Sequence, residues 1–248
     1  MLPLRDHNPS RQTPYVTYAL MAVNITVFLL SWEAFQTPGI ARQLYADWAM
    51  VPAFVNEFGA YHSLFTSMFL HGGLMHLAGN MLFLWIFGDN LEEQLGHVRF
   101  LLFYLFVGVV SAYVHLWANP ESVIPLVGAS GAIAGVMGGY LLLFPKARID
   151  ILLILVVFFR VFTVPAWLML GVWFALQLFG IATTDITAGG IAYDVHFGGF
   201  VAGILAIWPL WLRRGGPAFW HKNHGHPPHP QTQYRWTKTR IPRIGVPK

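Results

Sequence analysis

Four residues in three separate apolar stretches of this chain are of the types that nucleophilic attack on a carbonyl requires. Ser130 lies in Gly128-Ala129-Ser130-Gly131, and His196 opens a glycine-rich run, HFGGFVAG, at 196–203. A serine hydroxyl is a weak nucleophile until a base takes its proton, and an imidazole is the commonest such base. His76 and Asn80 stand four residues apart, so on a helix they project together. Both can donate a hydrogen bond to an oxygen that gains negative charge. Each residue also has an ordinary reading. Serine packs freely in membrane helices, a lone histidine often bonds a backbone carbonyl, and a His/Asn pair can be interhelical glue. The case for chemistry rests on where the chain puts all four.

The elements that must hold them are membrane spans. Of 248 residues, 56% are hydrophobic and 10% charged, whereas a soluble domain is about a quarter charged. Six spans are predicted, at 15–35, 74–88, 99–117, 125–144, 164–181 and 190–212. The fifth region, 150–181, is too long for one ordinary span and holds Arg160 and Pro165. The preferred division is an interfacial segment at 149–163 and a span with Pro165 in its first turn; a single long tilted helix is the alternative. Segment 36–73 reads equally as an amphipathic interfacial element or as a loop with aromatic anchors. Residues 1–14 form a polar N-terminal segment. Residues 213–248 form a basic tail rich in His and Pro, expected to be disordered.

Basic residues orient the spans. With six crossings and a cytoplasmic N-terminus, only Arg42 of the fifteen Lys and Arg falls outside. Both termini are then cytoplasmic, and a bacterial inner membrane is the expected location. The net charge of +4 is thus read as topology, not as a nucleic-acid footprint. In this arrangement the second, fourth and sixth spans all run inward. His76, Asn80, Ser130 and His196 then share one depth, a little below the outer surface. Polar groups inside a bilayer are costly and by default mark function. Asn24, His115 and Gln177 are further polar residues within spans.

Ser130 is expected near a helix N-terminus, where free N–H groups and the positive end of the dipole can hold an oxyanion. Gly131, Gly135 and Gly139 form a small-residue stripe read as helix packing. Gly199 and Gly203 share the face of His196. Glycine against glycine between the fourth and sixth spans would bring His196 beside Ser130.

Together, HGGLMHLAGN at 71–80, FGDNLEEQLG at 87–96, GASGAIAG at 128–135 and HFGGFVAG at 196–203 resemble the rhomboid intramembrane proteases. The resemblance spans about 15–212. It implies an all-α, six-helix membrane bundle that cleaves transmembrane protein substrates in the bilayer. It makes Ser130 the nucleophile, His196 its base, and His76, Asn80 and the Ser130 N–H the oxyanion hole. No cofactor and no metal are implied. Two departures stand out: position 134 is Ala, where relatives often carry an aromatic near the catalytic histidine, and the tryptophan–arginine motif of some first external loops is absent. Asp194, two residues before His196, would point to another face, leaving a dyad. The rival readings are a catalytically inactive binder of transmembrane segments and a metal protein using His71, His76, His115 and His196. A separate metal site could use the tail cluster His221, His224, His226 and His229. No His-Glu-x-x-His is present, and apart from Asp194 no Asp or Glu stands within the spans near these histidines, where zinc sites usually combine such ligands.

Overall fold

The computed structural model describes residues 2–155, 158–184, 190–228 and 230–232. The chain begins with strand β1 (Leu2–Asp6) and enters helix α1 (Tyr15–Leu30). A 3-10 turn (Trp32–Phe35) leads to three short helices, α2 (Pro38–Trp48), α3 (Pro52–Phe58) and α4 (Ser63–Thr66), and a second 3-10 turn (Ser67–Phe69). Helix α5 (Leu74–Leu95) follows, turned by 93° from segment 63–69. Helices α6 (His97–Ala118) and α7 (Ser130–Leu143), strands β2 (Arg148–Leu155) and β3 (Phe158–Pro165), and helices α8 (Ala166–Thr183), α9 (Tyr193–Arg213) and α10 (Pro217–Asn223) complete it. Segment 36–73 is therefore a run of short helices rather than an irregular loop.

By length and composition α6, α8 and α9 can cross a membrane, and the bent pair 63–69 plus α5 makes a fourth candidate; α1 and α7 are shorter apolar helices. The protein is a mostly helical, multi-pass membrane bundle. Helix α7 is its axis. Every residue of α7 except Ser130 and Leu141 is buried. Its 14 residues rise only about 21 Å, less than the ~30 Å hydrocarbon layer. A helix this short cannot bring both ends to the membrane surfaces, so one end must lie within the layer or be reached by a loop that dips into it. Around its lower half pack Phe87, Phe100, Tyr104 and Phe144, all fully buried.

The all-α expectation needs correction. Strands β1, β2 and β3 form an antiparallel sheet in that order. Segment 149–163 is neither an unspecified interfacial stretch nor part of a long fifth helix; it supplies most of two paired strands, with Arg148 opposite Pro165. The reason lies in the residues: RIDILLIL and FFRVFTVP are β-branched and aromatic, and such chains favour a pleated surface. Pairing with β1 also covers the β2 edge of the hairpin. β1 covers β2, and Arg5 Nε and His7 Nε2 meet the Asp150 carboxylate at 2.9 and 2.7 Å.

The tail also differs from a wholly disordered segment. Pro217–Asn223 is helical, Trp220 Nε1 donates to the Leu142 carbonyl at 2.9 Å, and Lys146 N donates to Gly225 O. Thr232 N donates to His7 O at 2.8 Å. His229 and residues 233–248 lie outside the described residues, so a tail metal site that includes His229 does too. Among the described residues no cluster of three or more His, Cys, Asp or Glu could hold a metal.

Candidate active site

Ser130 is the first residue of α7. The chain before it is fixed by backbone bonds to the segment that precedes α5: Met50 and Leu126 exchange two, and Gly128 N donates to Ser67 O at 2.9 Å. Gly128 has φ +121°, a conformation side chains rarely adopt. It also has no room for one. A Cβ there would lie 2.7 Å from the His76 ring and 3.6 Å from Asn80 Nδ2. The His76 and Asn80 side chains thus press against the peptide that leads into Ser130. They come from the first two turns of α5, as the four-residue spacing requires.

His196 lies in the first turn of α9. Helices α7 and α9 meet backbone to backbone. A Cβ on Gly199 would overlap the Gly131 carbonyl oxygen, and one on Gly203 would overlap that of Gly135. Gly139 instead faces Ile207 and Leu91, while Gly138 takes the close approach of the Phe200 carbonyl. Sequence spacing singled out the right face of α9 and missed Gly138 on α7.

Ser130, His196, His76 and Asn80 all line one cavity of about 770 Å³, so the structure brings all four predicted residues together. Asn80 Nδ2 is buried and makes no hydrogen bond to any described residue. A buried donor without a partner is costly unless water or a ligand oxygen meets it. His71, in the turn before α5, is buried with its ring 5.2 Å from that of His76.

The surroundings of His196 were not legible in advance. Gln177 Oε1 lies 2.8 Å from His196 Nδ1, and the Trp173 ring lies 5.7 Å from the imidazole at 37°. Both belong to α8. Gln177 stood out in the sequence only as a polar residue in an apolar span, and Trp173 had no signal among ten tryptophans. Ala134 is fully buried in α7, so the aromatic beside the histidine comes from a different helix than the resemblance implies. Asp194 turns away, as its spacing predicts. Its carboxylate takes His115 Nδ1 at 2.8 Å and Asn119 Nδ2 at 2.7 Å.

A serine at the N-terminus of a buried helix, a histidine on the helix packed against it, and the His76 and Asn80 side chains thus meet at one cavity of a helical membrane-protein bundle. The chain belongs to the rhomboid family: the profile described as the Rhomboid domain matches residues 59–213. It is 33% identical over 200 residues to Rhomboid protein 1, mitochondrial, of Saccharomyces cerevisiae, covering 78% of this chain and 52% of that protein. To the Rhomboid protease GluP of Bacillus subtilis it is 31% identical over 204 residues, covering 82% of this chain and 36% of that protein. To the Presenilin-associated rhomboid-like protein, mitochondrial, of Homo sapiens it is 29% identical over 192 residues, 76% of this chain and 46% of the relative. The chain therefore spans about half or less of the length of these relatives.

Proposed function

We propose that this protein is an intramembrane serine endopeptidase that cleaves transmembrane protein substrates through a Ser130–His196 dyad. The observation that carries the reading is the convergence of Ser130, His196, His76 and Asn80 on one cavity, with Ser130 at the N-terminus of a buried helix. His196 Nε2 takes the Ser130 proton as Oγ attacks the scissile carbonyl carbon. The oxyanion is held by the Ser130 N–H, His76 and Asn80. Collapse breaks the C–N bond, and His196 passes its proton to the leaving amine. Water activated by His196 then hydrolyses the acyl-enzyme. The cavity is the space in which that water and the substrate meet Ser130, away from lipid.

We also propose six crossings with both termini on one side. β1 precedes α1 yet pairs with β2, which follows α7. Thr232, after α9, bonds His7. Four crossings by α1, α5, α6 and α7, then two by α8 and α9, satisfy both pairings. The basic residues favour the cytoplasm for that side, and a bacterial inner membrane is the location we propose. The test of the function is cleavage of a model transmembrane substrate by protein reconstituted in liposomes. Ser130→Ala and His196→Ala should each abolish cleavage while the protein stays folded. Substantial cleavage by purified Ser130→Ala protein would overturn the assignment.

A further inference from the structure

We infer that Gln177 is a positioning residue for catalysis, which fixes the tautomer and orientation of His196 from the neighbouring helix α8. The inference rests on the proposed dyad and supplies what that dyad lacks, a third group that orients the base.

The geometry determines which atom of the amide faces the histidine. Gln177 is buried, and its Nε2 donates to the Trp173 carbonyl at 3.0 Å. A carbonyl can only accept, so the amide nitrogen must face Trp173 and the amide oxygen must face His196. That oxygen lies 2.8 Å from His196 Nδ1. An amide oxygen accepts and never donates, so Nδ1 carries the hydrogen and Nε2 carries the free lone pair. This tautomer is the one in which Nε2 can take a proton from Ser130. The opposite tautomer would set two lone pairs against each other across 2.8 Å.

Trp173 and Gln177 are four residues apart on α8, so one face presents both. The tryptophan ring lies against the imidazole and 5.9 Å from the Phe200 ring. It limits rotation of the imidazole while the amide fixes its hydrogen. Position 134 on α7, an alanine, supplies neither function. The acid that lines the cavity does not compete for the role. Asp194 is held by His115 and Asn119, and the other titratable residues of the lining are Tyr193, its neighbour on α9, and His76, which reaches the cavity from α5. A neutral acceptor suits a bilayer, where an unpaired carboxylate would be costly.

An ordinary interhelical hydrogen bond predicts the opposite ranking of two substitutions. If Gln177 only packs, Gln177→Leu keeps volume and apolarity and should be the tolerated change, whereas Gln177→Glu brings a charge into a buried site. If Gln177 positions His196, Leu removes the acceptor and Glu keeps one at the same reach. The experiment is substrate cleavage in liposomes by the parent protein, Gln177→Leu, Gln177→Glu and Ser130→Ala, with thermal unfolding measured for each. We expect kcat of Gln177→Leu to fall about ten- to a hundredfold, with KM within about twofold. Gln177→Glu should stay within about fivefold of the parent. Full turnover by folded Gln177→Leu, or a Glu protein no better than Leu, overturns the inference while leaving the dyad intact. Cleavage by Ser130→Ala overturns the dyad itself. Should the Leu protein fail to fold, 15N NMR of histidine-labelled parent protein in bilayers decides the matter, with the His196 signal assigned by its loss in His196→Ala. A hydrogen on Nδ1 supports the inference, and a hydrogen on Nε2 in the substrate-free protein overturns it.

Discussion

Asn80 and Gly128 make distinct demands on the same few ångströms. Asn80 presents a buried, unpartnered donor beside the peptide that precedes Ser130. Asn80→Ala should lower turnover about a hundred- to a thousandfold, the usual effect of one lost oxyanion donor, without abolishing it, because the Ser130 N–H remains. KM should move less than kcat. Normal turnover with only weaker binding would contradict the role. Gly128→Ala acts through geometry instead. It imposes an unfavourable φ and drives a methyl group into the His76 ring. Its kcat should fall at least as far as that of Asn80→Ala, and retention of full activity would show that His76 has another place to go. The reaction needs no thiol, since the chain has no cysteine, and the proposed mechanism uses no metal. Activity should survive chelators and thiol reagents and fall to serine-directed covalent inhibitors. Inactivation by a chelator, reversed by zinc, would restore the metal reading.

Between elements, distance is set by glycine. With the Gly131 carbonyl filling the space where a Cβ on Gly199 would go, Gly199→Val must push α7 and α9 apart. A displacement near one ångström could cost on the order of a hundredfold in rate although Gly199 has no reactive group. Leu205→Ile, on the exposed side of the same helix, is the control and should be nearly silent. A stable and fully active Gly199→Val protein would mean that this contact does not place His196. A second inter-element device is polar. The Glu92 carboxylate, 1% exposed at the far end of α5, accepts from Val16 N, Thr17 N and Thr17 Oγ1 at 2.9, 2.8 and 2.7 Å, and meets His97 Nδ1 at 2.5 Å. It caps the first turn of α1 by accepting the Val16 and Thr17 N–H groups, while Tyr15 N donates to the Thr13 carbonyl. Glu92→Leu leaves the buried Thr17 donors and the half-buried Val16 N–H without their acceptor. By the penalty per group it should destabilise the protein by about 3–5 kcal/mol, read as a lowered midpoint in denaturant.

At the scale of the whole molecule, β1 and the segment around Gly225 are both fastened to the connection that follows α7. Asp6 ends β1 and accepts from Asn90 Nδ2 at 2.9 Å and Tyr140 OH at 3.1 Å. Burial, assisted by the charge of Asp89, raises its pKa from 3.8 to about 7. The folded chain therefore holds a proton that the unfolded chain has already released between those values. The sign follows: the stability associated with neutral Asp6 is complete below pH 3.8 and is lost as pH rises to about 7. Asp6→Asn keeps an acceptor oxygen and removes the titration. Its thermal midpoint should exceed that of the parent at pH 8, and the difference should shrink toward pH 4. A difference that does not vary with pH would show that Asp6 is not the titrating group.

The sequence by itself pointed to a membrane as solvent, to apolar helices, and to four residues that the fold brings to one cavity. Each of these is a local property: apolar runs of spanning length, a four-residue spacing from His76 to Asn80, and small residues at the helical period in 196–203 and 131–139. The strands escaped the same reading. RIDILLIL and FFRVFTVP are also apolar runs, and periodicity cannot distinguish a buried strand from a helix segment when the run is this short. Only the partner decides, and β1 lies more than 140 residues away from β2. The same holds for His196. Its own neighbours revealed a histidine on a glycine face, but the amide that sets its hydrogen and the ring that holds it belong to α8. Both reach it because α8 packs against α9. Which of ten tryptophans and which buried amide would do so is a fact of packing between helices, and no pattern within either helix encodes it.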